Sequence, residues 1–220
     1  MNMKMQTLSI ACAALLGLGF TAATPALAQG HAHAATAPAP TAAPNLHKAM
    51  RGLWHGHVVT TRDYALAVFA GNKAGAAKAA DDVVANAKDI AHAVAGFYGQ
   101  PAGDGLLKLL AGHWGAVKAL TDSAHAGNAA GEDKALQDAA ANAGEIAKFL
   151  AGANPNWKEA DLDAGLVAHF GHHKSQVDMM AAKAPKDKQE AEWTAMQQHM
   201  DAIADVLSDG IAKQFPDKAN

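Results

Sequence analysis

A step of 56 residues runs through this chain, and it constrains the possible fold more than composition does. Ala70-Gly71-Asn72 recurs at that step as Ala126-Gly127-Asn128, and Asn86-Ala87 recurs as Asn142-Ala143. The same step carries Asp89-Ile90-Ala91 onto Glu145-Ile146-Ala147, and Leu53, Gly56 and His57 onto Leu109, Gly112 and His113. One more step from His113 reaches His169. The third copy is more divergent and its second helix is out of register by one residue, so that Ile146-Ala147 corresponds to Ile203-Ala204 and Asn142 to His199. Matches between alanines carry little weight in Ala-rich helices. The shared Gly-Asn breaks, Asn, acid-Ile pairs and His carry more.

Within each copy the pattern is helical. Leu46, Met50, Leu53, His57, Tyr64 and Val68 share one stripe, spaced by three- and four-residue steps, and β-branched alternation is absent. Residues that end or cap helices interrupt the pattern at Gly71-Asn72, Tyr98-Gly99-Gln100-Pro101, Gly127-Asn128, Ala153-Asn154-Pro155-Asn156 and Pro185. Six helices of about five to seven turns result. A single hairpin cannot bury its own apolar face, so three of them must close on one another. The expected fold is all-α, a six-helix bundle of three antiparallel helical-hairpin repeats over residues 45–216, with 217–220 as a tail.

The first residues carry an address. Lys4, the apolar run Leu8 to Phe20 and the small-x-small site Ala26-Leu27-Ala28 read as a secretory signal over residues 1–28, too short for a membrane span. A lipoprotein reading of Cys12 is poor, since Ser9 stands where Leu is wanted and the apolar run continues past the Cys. The expected location is therefore periplasmic or secreted. Cys12 is the single cysteine, so removal of the signal leaves no thiol for disulfides, thiolate sites or nucleophilic catalysis. Residues 29–44 are rich in Ala and Pro with some His, and read as a flexible tether. A formal charge of −3 with no basic block argues against nucleic acid as a partner.

Twelve histidines are the compositional feature that bears on function. His57, His113 and His169 each lie on the apolar stripe of a first helix, with Asn86, Asn142 and His199 on the partner helices. One such His is ordinarily a core residue hydrogen-bonded to a neighbour. Several buried together need partners, and a shared metal would satisfy them at once. His169, His172 and His173 stand at i, i+3 and i+4, a spacing that places chelating side chains on one helical face. His55 and His57 diverge around the helix, so only one can point inward. In the tether, cleavage after Ala28 would start the chain Gln29-Gly30-His31 and make a square-planar Cu(II) or Ni(II) site, unless the Gln cyclises.

Other chemistries lack their residues. No Glu-x-x-His supports a di-iron carboxylate bundle, and His-Glu-x-x-His, covalent haem, phosphate-loop and Ser/His/Asp motifs are absent. Met179, Met180 and Met200 read as core filling, and the four Trp as packing anchors. Asp89 and Glu145, with Asn86 and Asn142, are expected as partners that hold imidazole tautomers. Arg62, about one turn past His57, would pair with an acid or an anionic ligand.

Together these segments resemble a family of small bacterial helical-bundle proteins. The resemblance rests on Leu53-Trp54-x-x-His57-Val58-x-x-Thr61-Arg62, Asp89-Ile90, Tyr98-Gly99, and Asn142 with Ile146-Ala147-x-Phe149-Leu150. It continues through Ala153-Asn154-Pro155-Asn156-Trp157 and Ala204-Asp205-x-Leu207-Ser208-x-Gly210-Ile211-x-x-Gln214-Phe215-Pro216. Members carry labels such as glycosyltransferase or acetylglutamate kinase. Both activities belong to nucleotide-binding α/β folds, and no strand pattern supports them here. The resemblance implies shared His at positions 57, 113, 169 and 199 and shared Asn at 86 and 142. It leaves His55, His92, His172 and His173 as additions of this chain.

The expected function is binding of a transition metal, Cu or Zn, for buffering, storage or delivery. The ligands would come from His57, His113, His169, His199, His172 and His173, with His31 apart in the tether. The alternatives are a module binding a small organic ligand or haem through the same residues, and a His-metal enzyme with Glu145 or Asp89 as base.

Overall fold

Helix after helix is ended by a residue in the left-handed region. The computed structural model describes residues 43–219 and contains α1 (Pro44–Phe69), α2 (Lys73–Tyr98), α3 (Gln100–His125), α4 (Ala129–Ala153), α5 (Glu159–Ala181), α6 (Lys186–Gln214) and the single turn α7 (Pro216–Ala219). Between α1 and α2 Gly71 takes φ 69°, and between α3 and α4 Gly127 takes φ 65°. Asn72 then caps α2 by accepting from the Gly75 amide at 2.9 Å, and Asn128 caps α4 by accepting from Gly131 at 3.1 Å. The turn from α5 to α6 has the same backbone form, with Lys183 at φ 51° in the glycine's place. In all three the residue after the left-handed one donates to a carbonyl five positions back: Asn72 to Ala67, Asn128 to Ser123 and Ala184 to Met179.

The other two connections are tighter or more built. Gly99 alone, at φ 88°, joins α2 to α3. Between α4 and α5 the fully buried Asn154 donates to the Tyr98 hydroxyl at 2.8 Å and accepts from the Asn156 amide at 2.9 Å.

Each helix packs on its neighbours in chain order, and α6 returns to α1, which closes the ring into a helical bundle. Helices α1, α3 and α5 also touch one another, so they form the inside, while α2, α4 and α6 lie against the seams. The apolar interior is split in two. One cluster takes Met50, Trp54, Leu106, Leu110, Leu162, Met200 and Leu207; the other takes Ala65, Val117, Leu120, Phe170 and Val177. On α3 and α5 His113 and His169 fall between residues of the two clusters, and on α1 His57 lies beside Val58 at the edge of the first. No strand occurs among the described residues, and no helix there is long and apolar enough to cross a membrane.

The α1–α6 seam carries a ladder of contacts between basic side chains and aspartates. His47, Arg51 and His55 face Asp205, Asp209 and Asp201 at steps of one turn. His47 meets Asp205 at 2.9 Å and Asp209 at 3.0 Å through its two ring nitrogens, and His55 meets Asp201 at 2.8 Å. The Arg51 guanidinium, 2.9 Å from Asp205, holds that carboxyl below its usual range.

Two boundaries differ from expectation. Residues 217–219 are not a tail: they belong to α7, and Ala219 is buried in the first cluster with Ala43. Pro44 is not tether either, because proline suits a first helical turn and α1 begins there. The signal segment and the rest of the tether, with His31, lie outside the described residues.

The left-handed Lys183 predicts an asymmetry between equivalent turns. Lys183→Gly should raise unfolding free energy by about 1 kcal/mol, because glycine meets no Cβ penalty there, and Gly127→Ala should lower it by a similar amount. Urea denaturation of the two variants beside the wild type checks both signs.

Candidate metal centre

About three to four turns along each inner helix from its start, the apolar stripe gives way to imidazole. His57 on α1, His113 on α3 and His169 on α5 meet at the bundle axis, with ring centroids 5.6, 5.6 and 5.4 Å apart in a nearly equilateral triangle. His173, one turn beyond His169, covers the triangle at 4.6 Å from His169, 6.0 Å from His113 and 6.2 Å from His57. All four are buried, and one nitrogen from each lies within 4.8 Å of those of the other three. Nε2 of His173 and Nε2 of His169 are 3.2 Å apart. Tetrahedral ligation at a zinc–nitrogen distance of about 2.0–2.1 Å requires edges of roughly 3.4 Å, so this pair already stands close to one such edge.

The electrostatics follow from burial. Burial first, and then the neighbouring His113, brings the His57 pKa down to about 3. Burial alone takes His113 to about 4. His169 and His173 are held well below the ordinary imidazole range, again by burial first and by the other histidines second. All four are neutral at physiological pH, which is the form that ligates metals. Nε2 of His113 and Nδ1 of His169 are buried with no hydrogen-bond partner, so the protein leaves polar atoms of the cluster unsatisfied. A metal ion fits a cluster of this composition.

The remaining expected residues act differently. Asn86 donates to the Leu53 carbonyl at 2.9 Å and Asn142 to the Leu109 carbonyl at 3.1 Å. His199 meets the Gly165 carbonyl through Nε2 at 3.0 Å; a carbonyl only accepts, so that nitrogen carries a proton. Leu53, Leu109 and Gly165 each lie four residues before a histidine of the triangle. The three side chains therefore clamp the helix backbone at the same point relative to each imidazole, rather than holding tautomers. Gly56 and Gly112 make room for the asparagines: a Cβ there would stand 2.7 and 2.9 Å from the amide nitrogens of Asn86 and Asn142.

His199 is thus a clamp, and its ring lies parallel to that of His169 at 6.4 Å, outside the group of four. His172 is not with His169 and His173 either. It lies about 100° around the helix from His173, and its Nδ1 bonds Glu192 on α6 at 2.6 Å. Asp89 and Glu145 are exposed, because each directly precedes a buried isoleucine and so turns toward solvent; neither serves the cluster. Arg62 pairs with Glu190 at 2.6 Å and lies over the Trp193 ring at 4.5 Å, which fixes α1 to α6 away from the histidines.

Sequence reasoning missed the acid–base ladder on α1 and α6, although its signal was present as two matched sets of residues at i, i+4 and i+8. It also gave Trp54 a packing role alone. Trp54 is buried edge-on to His57 at 5.9 Å, and its Nε1 has no hydrogen-bond partner.

The lowered pKa values give metal-free protein a characteristic acid response. An unfolded chain takes up protons on these histidines below about pH 6.5, while the folded chain resists until about pH 4 at His113 and about pH 3 at His57. Their contribution is fully present above pH 6.5 and is lost as pH falls, with a limiting slope of about 1.4 kcal/mol per pH unit for each histidine. Chemical denaturation between pH 7 and 5 should show this, and His113→Gln should flatten the slope by about one histidine's share.

No family model, no curated protein and no solved structure matches this chain.

Proposed function

We propose that the protein binds one transition-metal ion, Zn or Cu, through His57, His113, His169 and His173, on a scaffold of three 56-residue hairpins. The observation that carries this reading is the convergence of four buried, neutral imidazole nitrogens within 4.8 Å. Imidazole suits Zn and Cu, and a closed set of four protein ligands is the arrangement of a site that holds a metal rather than turning over substrate. Storage, buffering or delivery in an extracytoplasmic compartment fits better than catalysis for the same reason. Support for the repeated scaffold comes from the turns at 71, 127 and 183 and from the clamped carbonyls at 53, 109 and 165, both spaced by 56.

Two of the earlier alternatives are weaker on this geometry. The apolar cavity beside the histidines measures about 210 Å³, well under the space a porphyrin fills, which disfavours haem. An enzyme would want an acid or base at the metal, and both Asp89 and Glu145 are exposed. Since His173 lies outside the positions shared with the family the chain resembles, a four-histidine site would be a property of this chain.

Titration of untagged protein with Zn(II) and Cu(II), followed by calorimetry and metal analysis, should give one ion per chain. His113→Ala and His173→Ala should weaken binding by more than the ~10–100-fold typical of residues one shell out. His199→Gln, a longer side chain that keeps a donor for Gly165 past the Cβ of Ala168, should bind nearly as the wild type does. A wild-type protein that takes up no stoichiometric ion, or a His113→Ala protein that binds undiminished while folded by circular dichroism, would overturn the reading.

A further inference from the structure

The histidine triangle has two faces, and they differ. His173 covers one. The other opens onto a cavity of about 210 Å³ whose walls include His57, His113, His169, Trp54, Leu110 and Met200, but not His173. The walls are apolar side chains and imidazole edges drawn from α1 to α6. Its outer end lies between α5 and α6, where the lining residues Asp161, Ala202 and Val206 are exposed, Val206 by 51 %. Gly165 and Leu166 on α5 and Ile203 on α6 stand between that mouth and the histidines. Gly165 leaves this passage wide: a Cβ there would find only Ile203, at 3.9 Å.

We infer that this cavity is a second binding site, for a neutral apolar molecule of about one aromatic ring bearing a hydrogen-bond acceptor. The size comes from the volume. An apolar cavity of about 150 Å³ is enough for benzene, while drug-sized ligands occupy roughly 300–1,000 Å³. The apolar character comes from the walls, which leave a charged ligand without a counter-charge once inside. The acceptor comes from Trp54, a wall residue more than nine-tenths buried whose indole N–H donates to nothing in the protein. An unmade hydrogen bond at a buried donor is costly, and a ligand carbonyl is the group that would complete it.

This site does not depend on the proposed metal, and the experiment separates the two. Metal-free protein is titrated calorimetrically with acetophenone and with ethylbenzene, which have nearly the same shape and differ by a carbonyl. One molecule per chain should bind with a negative heat-capacity change, acetophenone about two- to tenfold tighter. Trp54→Phe should abolish that preference while leaving ethylbenzene binding in place. Gly165→Leu, which fills the passage, should remove binding of both. A crystal of wild-type protein soaked in bromobenzene gives an answer that needs no variant: bromine among Trp54, Leu110 and His113 is the expected result. Absence of saturable binding, binding that survives Gly165→Leu, or bromine only at the surface would overturn the site. Equal affinity for the two probes in the wild type would overturn the role of Trp54. Repeating the acetophenone titration on Zn(II)-loaded protein then reads whether the two sites communicate, and a protein that binds no metal still answers the first question.

Discussion

Four imidazoles must stay uncharged for this bundle to exist as it does. They form a layer across the axis between two apolar clusters, with no carboxylate among them. With its pKa at about 3, protonated His57 costs on the order of 5 kcal/mol at neutral pH. A domain's whole stability is about 5–15 kcal/mol, so a single proton in this layer removes a large share of it. Packing alone would favour Leu at these positions, which fill the same space without unsatisfied nitrogens. The layer is therefore expensive for a core, and that expense is what points to a ligand.

Holding such a layer in register requires the three inner helices to be fixed along their axes as well as against each other. The clamps on Leu53, Leu109 and Gly165 meet that need. Each reaches a carbonyl that already accepts from the amide of the following histidine, so each ties the helix turn that carries the imidazole to the helix behind it. The glycines at 56 and 112 let the short asparagines come close enough. Where the clamp is the longer His199, the equivalent position is Ala168, and a Cβ is accommodated.

Much of this was legible from the residues. The Gly-Asn pairs mark the ends of α1 and α3, because glycine takes a left-handed turn cheaply and asparagine caps the next helix. The repeat located His57, His113 and His169 on one level, since equal spacing along similar hairpins gives equal depth. The fourth histidine of the cluster was harder. Of the residues at 172, 173 and 199, each had a pattern in its favour, and the choice rests on helix phase: 173 lies 40° from 169, whereas 172 lies 60° away on the other side. Asp89 and Glu145 were misread because identity at a repeated position says nothing about which way a side chain faces. Here Ile90 and Ile146 take the buried direction and leave the acids outside. The cavity could not be read at all, since empty space depends on how Gly165, Leu166 and Ile203 meet across a seam.

The ladder between α1 and α6 joins the two ends of the chain's helical run. Every other seam around the ring is also bridged by a covalent turn; this one is held by the contacts of His47, Arg51 and His55 with aspartates, the Arg62–Glu190 pair and the apolar cluster that contains both Ala43 and Ala219. In topological terms the bundle is a circle with a clasp. A peptide linker across the clasp, with new termini opened at Gly99, would preserve each of the three clamped helix contacts and all four inward histidines. The order of the helices in the gene is then incidental to the layer they build, and a rotated gene encodes the same cluster.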